Sequence, residues 1–408
     1  MKPITLFAAA ALLACLSCGK TSEDQNNPYK PLELSTRSAG FVEKGHAFSF
    51  DLIDRVGAST SGDYIISPLS LQLLLGMILD GARGETAEEI GKVLGYGPSE
   101  TDAVNEFARS MLSQLPAMDR KTRLTFANAI FVDDGWPLLD SYRNVVGQYY
   151  SARIDNLDFT DNAGSLKAIN GWCNDHTNGL VPKILDSVDP NMLAYLLNAM
   201  YFKSQWKEKF PKGATSDEPF TDEGGVKRTV KMMKQEQKYE YNENDVFQVV
   251  RMPYGNGAFS MYAFLPVGKN RLADVTAFLK KSDWTSLRRK LFPCEVDLWL
   301  PRFETRFHIK LNDLLSEMGM PSSFDPGKAD FKAMSAYALC LSFVQQDAVI
   351  KVDEEGAEAA VVSSAGMLKE TAVAPGDHVV FHADRPFLYL ITEASTGAVL
   401  FAGKFSGK

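Results

Sequence analysis

The sequence predicts an α+β fold whose sheets are mainly antiparallel or mixed. Helix-period segments come early, paired strands come late, and few strand–helix–strand repeats lie between them. In HAFSFDLIDRV, Phe48, Leu52, Ile53 and Val56 are spaced like one helix face. SPLSLQLLLGMILDG starts with Ser67 as N-cap and Pro68 at the first helical position, and stops near Gly81. It is apolar nearly all round, so it should be a buried helix. Thr86 and Glu89 have capping-box spacing for ETAEEIGKVLG, and SLKAINGWCNDHTNG reads as a helix ended by Asn178-Gly179. RLTFANAIFV and MLAYLLNAMYF are β-rich. FQVVRMPY and AFSMYAFLP flank Gly255-Asn256-Gly257, a hairpin signal, as HVVFHADRPFLYLI and AVLFAGKF flank Ser395-Thr396-Gly397. EVDLWLPRF alternates apolar Val296, Leu298 and Leu300 with Asp297 and Trp299.

The chain has 408 residues and an ordinary globular balance, 45% hydrophobic and 23% charged. Its net charge of −8 argues against nucleic acid as a partner, because phosphate contacts need a basic face. The basic stretches Lys280-Lys281 and Arg288-Arg289-Lys290 are short and read as solvated helix faces.

The first residues, MKPITLFAAAALLACLSCGK, read as an export signal. Their apolar stretch is too short to span a membrane. LLAC, ending at Cys15, resembles a bacterial lipobox, and LSC, ending at Cys18, is a second candidate. The expected arrangement is a signal peptide over 1–14 and a flexible tether over 15–40. A single domain over 41–408 follows. The acylated cysteine would anchor the protein to the outer membrane or cell surface, and Ser22-Glu23-Asp24 resembles a surface-export signal. Cys173, Cys294 and Cys340 are odd in number and widely spaced, so they read as buried thiols rather than metal ligands.

A catalytic site is hard to find. HExxH, GxSxG, the P-loop and GxGxxG patterns are all missing. The five histidines are His46, His176, His308, His378 and His382. On a strand, the last two share a face but lie roughly 13 Å apart, too far for one metal. No metal or cofactor is expected.

The unusual stretch is DEEGAEAAVVSSAGMLKE, residues 353–370, between two strand-like runs. It is too apolar for a solvated linker and too small in its side chains to build a core. Read as a segment that must become a strand, it puts Ala357, Ala359, Val361, Ser363, Ala365 and Met367 on one small, uncharged face. Glu358, Ala360, Val362, Ser364 and Gly366 take the other, and Gly356 is a natural hinge.

EEGAEAAVV closely resembles the hinge of the serpins, a family of protease inhibitors. IISPLSLQLLLGMILDGARGETAEEI, FANAIFVD, INGWCNDHTNGLVPKIL, LLNAMYFKSQWKEKF, LPRFETRFHIKLNDLLSEMGM and HADRPFLYLITEASTGAVLFAGK resemble further family segments in family order. The resemblance implies the serpin fold: three mostly antiparallel or mixed sheets, about nine helices and an exposed reactive-centre loop, here about 354–376. It implies a suicide-substrate inhibitor rather than an enzyme. A serine protease, or a cysteine protease, would attack the loop, and the cut loop would insert into the central sheet before the acyl-enzyme is hydrolysed. The hinge would comprise Glu354, Glu355, Gly356, Ala357, Glu358, Ala359, Ala360, Val361 and Val362. Trp206, Ser67, Ser70 and Asn198 match positions that control insertion, and Gln346 stands where the family usually has histidine. The usual family loop length puts the reactive bond after Glu370, before Thr371; a register one residue shorter puts it at Lys369–Glu370, the bond expected here, with Leu368 and Met367 as further cut sites. A trypsin-like or elastase-like target and a monomeric inhibitor are expected. A non-inhibitory serpin, acting as carrier or chaperone, is the alternative, although such members tend to carry bulky, charged or proline residues in the hinge.

Overall fold

The computed structural model describes residues 26–342, 344–357 and 378–407. Its helices are α1 (Thr36–Ser59), α2 (Pro68–Gly81), α3 (Gly84–Leu94), α4 (Thr101–Gln114), α5 (Asp140–Tyr150), α6 (Asn162–His176), α7 (Leu272–Lys281), α8 (Trp284–Arg289) and α9 (Asn312–Met318). The first strands are β1 (Tyr64–Ile66), β2 (Arg123–Asp133), β3 (Arg153–Leu157), β4 (Ala194–Gln205) and β5 (Ser216–Thr221). Next come β6 (Lys227–Glu243), β7 (Phe247–Tyr254), β8 (Phe259–Pro266), β9 (Phe292–Pro301) and β10 (Phe303–Lys310), of which β6, β7 and β8 form a meander. The last are β11 (Gln345–Val352), β12 (Gly356–Ala357), β13 (His378–His382), β14 (Phe387–Glu393) and β15 (Val399–Phe405).

Among the described residues the strand pairings run through two continuous groups, β6 joining strands that the family resemblance counted in separate sheets. One runs β1-β15-β14-β8-β7-β6-β9-β13 with β5 added to β6; the other runs β10-β11-β12-β4-β2-β3. The 17-residue β6 makes this join: its start pairs with β5, its middle with β9 and its end with β7.

Within the six-stranded sheet, the central strands β2 and β4 are buried on both faces and are apolar on both, whereas β10 alternates buried with exposed residues. Ala127, Ala129 and Phe131 of β2, with Tyr195, Leu197 and Ala199 of β4, pack under α6 against Ile169, Trp172 and Cys173. The intervening Ile130, Val132, Leu196, Met200 and Phe202 face the main core with α2. Every residue of α2 is buried except Asp80.

Some local expectations give way to tertiary contacts. Thr86 and Glu89 form no capping box. Helix α3 starts at Gly84, the Thr86 hydroxyl accepts from the Asp330 amide at 3.0 Å, and Glu89 accepts from the Ser322 amide and hydroxyl at 2.9 Å. The tether boundary placed at residue 40 falls earlier: α1 begins at Thr36, capped by the Ser35 side chain. Ahead of it, Asn27 donates to the Met118 carbonyl at 2.9 Å, and Glu33 and Gln114 exchange two hydrogen bonds of 2.9 Å. Residues 26–35 are therefore fastened to the body. The export signal with Cys15 and Cys18 lies outside the described residues.

Candidate functional site: the hinge and its slot

The turn from β11 to β12 is DEEG, residues 353–356. Asp353 folds it: its carboxylate accepts from the Glu355 amide at 2.9 Å and the Gly356 amide at 3.3 Å, while its own amide donates to the Gly356 carbonyl at 2.9 Å. Gly356 has φ +153°, and a Cβ there would stand 2.0 Å from the Ser204 carbonyl oxygen. Only glycine allows so close an approach of hinge to β4.

Beyond the turn, two residues enter the sheet. Gly356 pairs with Gln205 and Ala357 with Ser204 of β4, while Ala357 also pairs with Val352 of β11. Ala357 is fully buried, in the main core. Among the described residues, β12 is the only ladder link between β11 and β4. Lys203 to Ala194 of β4 pair with β2 on one side, and their other edge runs toward β11. The seam between β4 and β11 beyond that point, the slot that a further strand would have to enter, runs along ten residues of β4, about 33 Å at strand rise.

The mouth of the slot is charged and aromatic. The Trp206 indole donates to the Asp353 carbonyl at 2.8 Å, its amide to the Glu355 carbonyl at 2.8 Å, and its ring stacks on Tyr254 at 4.3 Å. The Glu354 carboxylate, nearly buried, accepts from Arg302 and, at 2.6 Å, from Thr215. Burial works to raise that carboxyl, but the Arg302 and Thr215 hydrogen bonds outweigh it and hold it below the usual range. The hydrogen bond from Lys209 at 2.6 Å, with Lys212 at 3.0 Å, lowers Glu355 in the same way.

Deeper along the slot, α2 touches both walls. Gln346 of β11 accepts from the Ser67 amide at 2.7 Å and donates to the Ser67 carbonyl at 3.0 Å. The Ser67 hydroxyl does not cap its helix; it donates to the Leu400 carbonyl at 2.6 Å. Ser70 donates to Asn198 of β4, whose amide donates to Asn128 of β2 at 2.8 Å. Ser67 with Gln346 and Ser70 with Asn198 thus form two pairs on one helix end, and Trp206 sits apart at the mouth.

Of the expected hinge, Glu354, Glu355, Gly356 and Ala357 are placed in this way. Glu358, Ala359, Ala360, Val361, Val362 and the cut-site residues Met367, Leu368, Lys369, Glu370 and Thr371 lie outside the described residues. Sequence reasoning missed Asp353, Arg302, Thr215, Lys209 and Lys212. The lysines stand in WKEKFPK just after Trp206, and their charge complements DEE, but nothing local says the two runs meet. His378 and His382 are each paired with a carboxylate, Glu236 at 2.9 Å and Asp297 at 2.8 Å.

Comparisons with known proteins agree with this geometry. The family model "Serpin (serine protease inhibitor)" matches residues 43–407. Serpin B6 of Macaca fascicularis is 32% identical over 375 residues, 90% of this chain and 98% of that protein. The leukocyte elastase inhibitor of Xenopus laevis is 32% identical, over 88% of this chain and 97% of its own. Among solved structures, the native state of the thermophilic serpin tengpin superposes with TM-score 0.83 at 28% identity, covering 94% of this chain and 97% of that one. Thyroxine-binding globulin in complex with thyroxine gives 0.79 at 25% identity, covering 90% and 98%. A hinge seated between β4 and β11 and a family model spanning nearly the whole chain lead to one conclusion: the chain belongs to the serpin family.

Proposed function

We propose that this protein inhibits serine proteases, and cysteine proteases of matching specificity, by trapping the acyl-enzyme through insertion of its cut loop. The observation that carries the reading is the seating of Gly356–Ala357 between β4 and β11. The chain that follows Ala357 need only continue in register along β4, so insertion is elongation of a strand already nucleated.

In the chemical step, the protease hydroxyl or thiol attacks the carbonyl carbon at the reactive bond. The peptide bond breaks, the amine of the next residue leaves with the nucleophile's proton, and an ester or thioester joins the protease to the carbonyl of the residue before the cut. Water would normally hydrolyse that bond. Filling the slot first carries the protease about 30 Å or more along the sheet and pulls its catalytic groups out of line. The nucleophile belongs to the target, which is why this chain needs none. Each residue added to the sheet gains ladder hydrogen bonds worth roughly 0.5–1.5 kcal/mol net.

The reactive bond is assigned to Lys369–Glu370, with Glu370–Thr371 next and cuts after Leu368 or Met367 as elastase-like or chymotrypsin-like alternatives. The target is then trypsin-like or elastase-like. Mixing the protein with trypsin and elastase should give a complex that survives boiling in SDS, and the released C-terminal fragment should begin at Glu370 or Thr371. Clean cleavage without a complex would instead favour a carrier role, the reading in line with the likeness to thyroxine-binding globulin. The protein is further proposed to be a monomer, held at the outer membrane or cell surface by acylation at Cys15 or Cys18. Labelled palmitate should enter the wild type. Equal incorporation into a Cys15→Ala, Cys18→Ala double variant would end that assignment.

A further inference from the structure

The loop after β2, residues 134–139, and the loop before β11, residues 333–341, meet at the end of the slot far from the hinge. Val132 of β2 pairs with Ala194, the first residue of β4, and the Asp133 amide donates to the Leu193 carbonyl at 3.0 Å. Leu138 bridges Ser335, the Leu139 amide donates to the Met334 carbonyl at 2.9 Å, and the Ser335 hydroxyl donates to the Pro137 carbonyl at 3.2 Å. Leu138, Met334 and Ser335 are buried in this junction. Two aromatic side chains stand on it, one from each loop. Trp136 is 39% and Tyr337 43% exposed, and their rings meet edge to face at 4.7 Å. Large rings held in place yet open to solvent are the side chains that most often anchor protein interfaces.

The register of the hinge says what would reach these rings, given the trapping reading proposed above. Ala357 pairs antiparallel with Ser204, so a strand continued from it moves one residue back along β4 for each residue inserted. Ten steps bring Met367 opposite Ala194, where β4 begins. Lys369, whose carbonyl would carry the protease, then lies two residues further, about 7 Å past the strand. A protease joined there by one ester has to lie against the surface around Leu193 and Asp133. Trp136 belongs to that surface, its amide donating to the Asp133 carbonyl at 3.0 Å.

We propose that Trp136 and Tyr337 form the resting surface of the trapped protease, and that they pack on apolar side chains which the pull lays bare on it. The ester is hydrolysed only while the protease's catalytic groups are aligned. A contact made by the deranged protease and not by the aligned one lowers the aligned population, and so lengthens the life of the complex.

Hydroxyl-radical footprinting read by mass spectrometry tests the contact on three samples. They are the free protein, its complex with trypsin (or elastase, if that is the better target), and the cut product purified from the same mixture, which carries no protease. Oxidation of Trp136 and Tyr337 should fall several-fold in the complex relative to the cut product. Phe278 of α7, also exposed, should be oxidised equally in all three. Equal oxidation of the two rings in complex and cut product would overturn the proposal and leave trapping intact. A Trp136→Ala, Tyr337→Ala double variant keeps loop and slot, so it should form complex in wild-type yield. Protease activity should then return from that complex about tenfold sooner, the effect of losing one well-packed interface aromatic. Return at the wild-type rate would also overturn the proposal. If neither protease gives any complex, the trapping reading fails and this proposal fails with it.

Discussion

At the scale of single residues, the hinge turns on two small side chains. Gly356 lets the backbone approach β4 where any Cβ would strike the Ser204 carbonyl. Gly356→Val should expel the seated residues, and hydrogen exchange in a peptide over 353–357 should speed up while β11 keeps its protection. Unchanged exchange would show that the contact is not tight. Two other residues set the acid response in opposite senses. Burial, with Arg288 nearby, lowers His46 to about 4. Its folded form therefore resists a proton that the unfolded chain accepts, and stability is lost as pH falls from about 6.5 to about 4. Asp80, raised to about 6, takes up its proton earlier when folded, so it adds stability as pH falls from about 6 to about 4. Each shift corresponds to roughly 3 kcal/mol. Between pH 7 and pH 5, His46→Leu should therefore lose less thermal stability than wild type, and Asp80→Asn should lose more. The same change in both variants would contradict these assignments.

At the scale of elements, the β11–β12 turn is held by charge as well as by ladder bonds. Arg302→Ala would leave the Glu354 carboxylate nearly buried with Thr215 alone, at a cost of about 1–3 kcal/mol. The first urea unfolding transition should move down by that amount, whereas Lys212→Ala, removing an exposed partner of Glu355, should cost less than about 1 kcal/mol. Equal effects would mean burial does not matter at this turn. The elements themselves were largely legible. Helix α2 runs from Pro68 to Gly81 as its Pro and Gly predicted, and β7 coincides with FQVVRMPY. Local signals failed where a side chain was taken for tertiary work. Thr86 and Glu89 look like a capping box but bind a distant loop, and Ser67 looks like a cap but holds Leu400. The hinge could be found from DEEGAEAAVV because its small residues break the rules of both loop and core. Its partners Arg302 and Thr215 could not, since they lie 52 and 139 residues away and only the fold brings them near.

At the scale of the whole molecule, the sheet carrying β4 and β11 is joined, among the described residues, through the two-residue β12. Ala357 completes its first step, β4 has ten more residues facing the slot, and α6 with its following loop lies over that face. On the proposed mechanism, barriers hold the fold in this condition until the loop is cut. Whether the slot is what disables a protease can be read from one substitution. Ala357→Arg would place a guanidinium at a fully buried position in the core, an unpaired charge costing several kcal/mol. Attack on the loop should stay fast, insertion should slow, and hydrolysis should win. The measurement is the yield of SDS-resistant complex at one-to-one protein and trypsin, or elastase if that is the better target, for wild type and Ala357→Arg side by side. Strand insertion predicts that wild type is converted mainly to complex and Ala357→Arg mainly to cut product with active protease. Equal trapping by both proteins would contradict it.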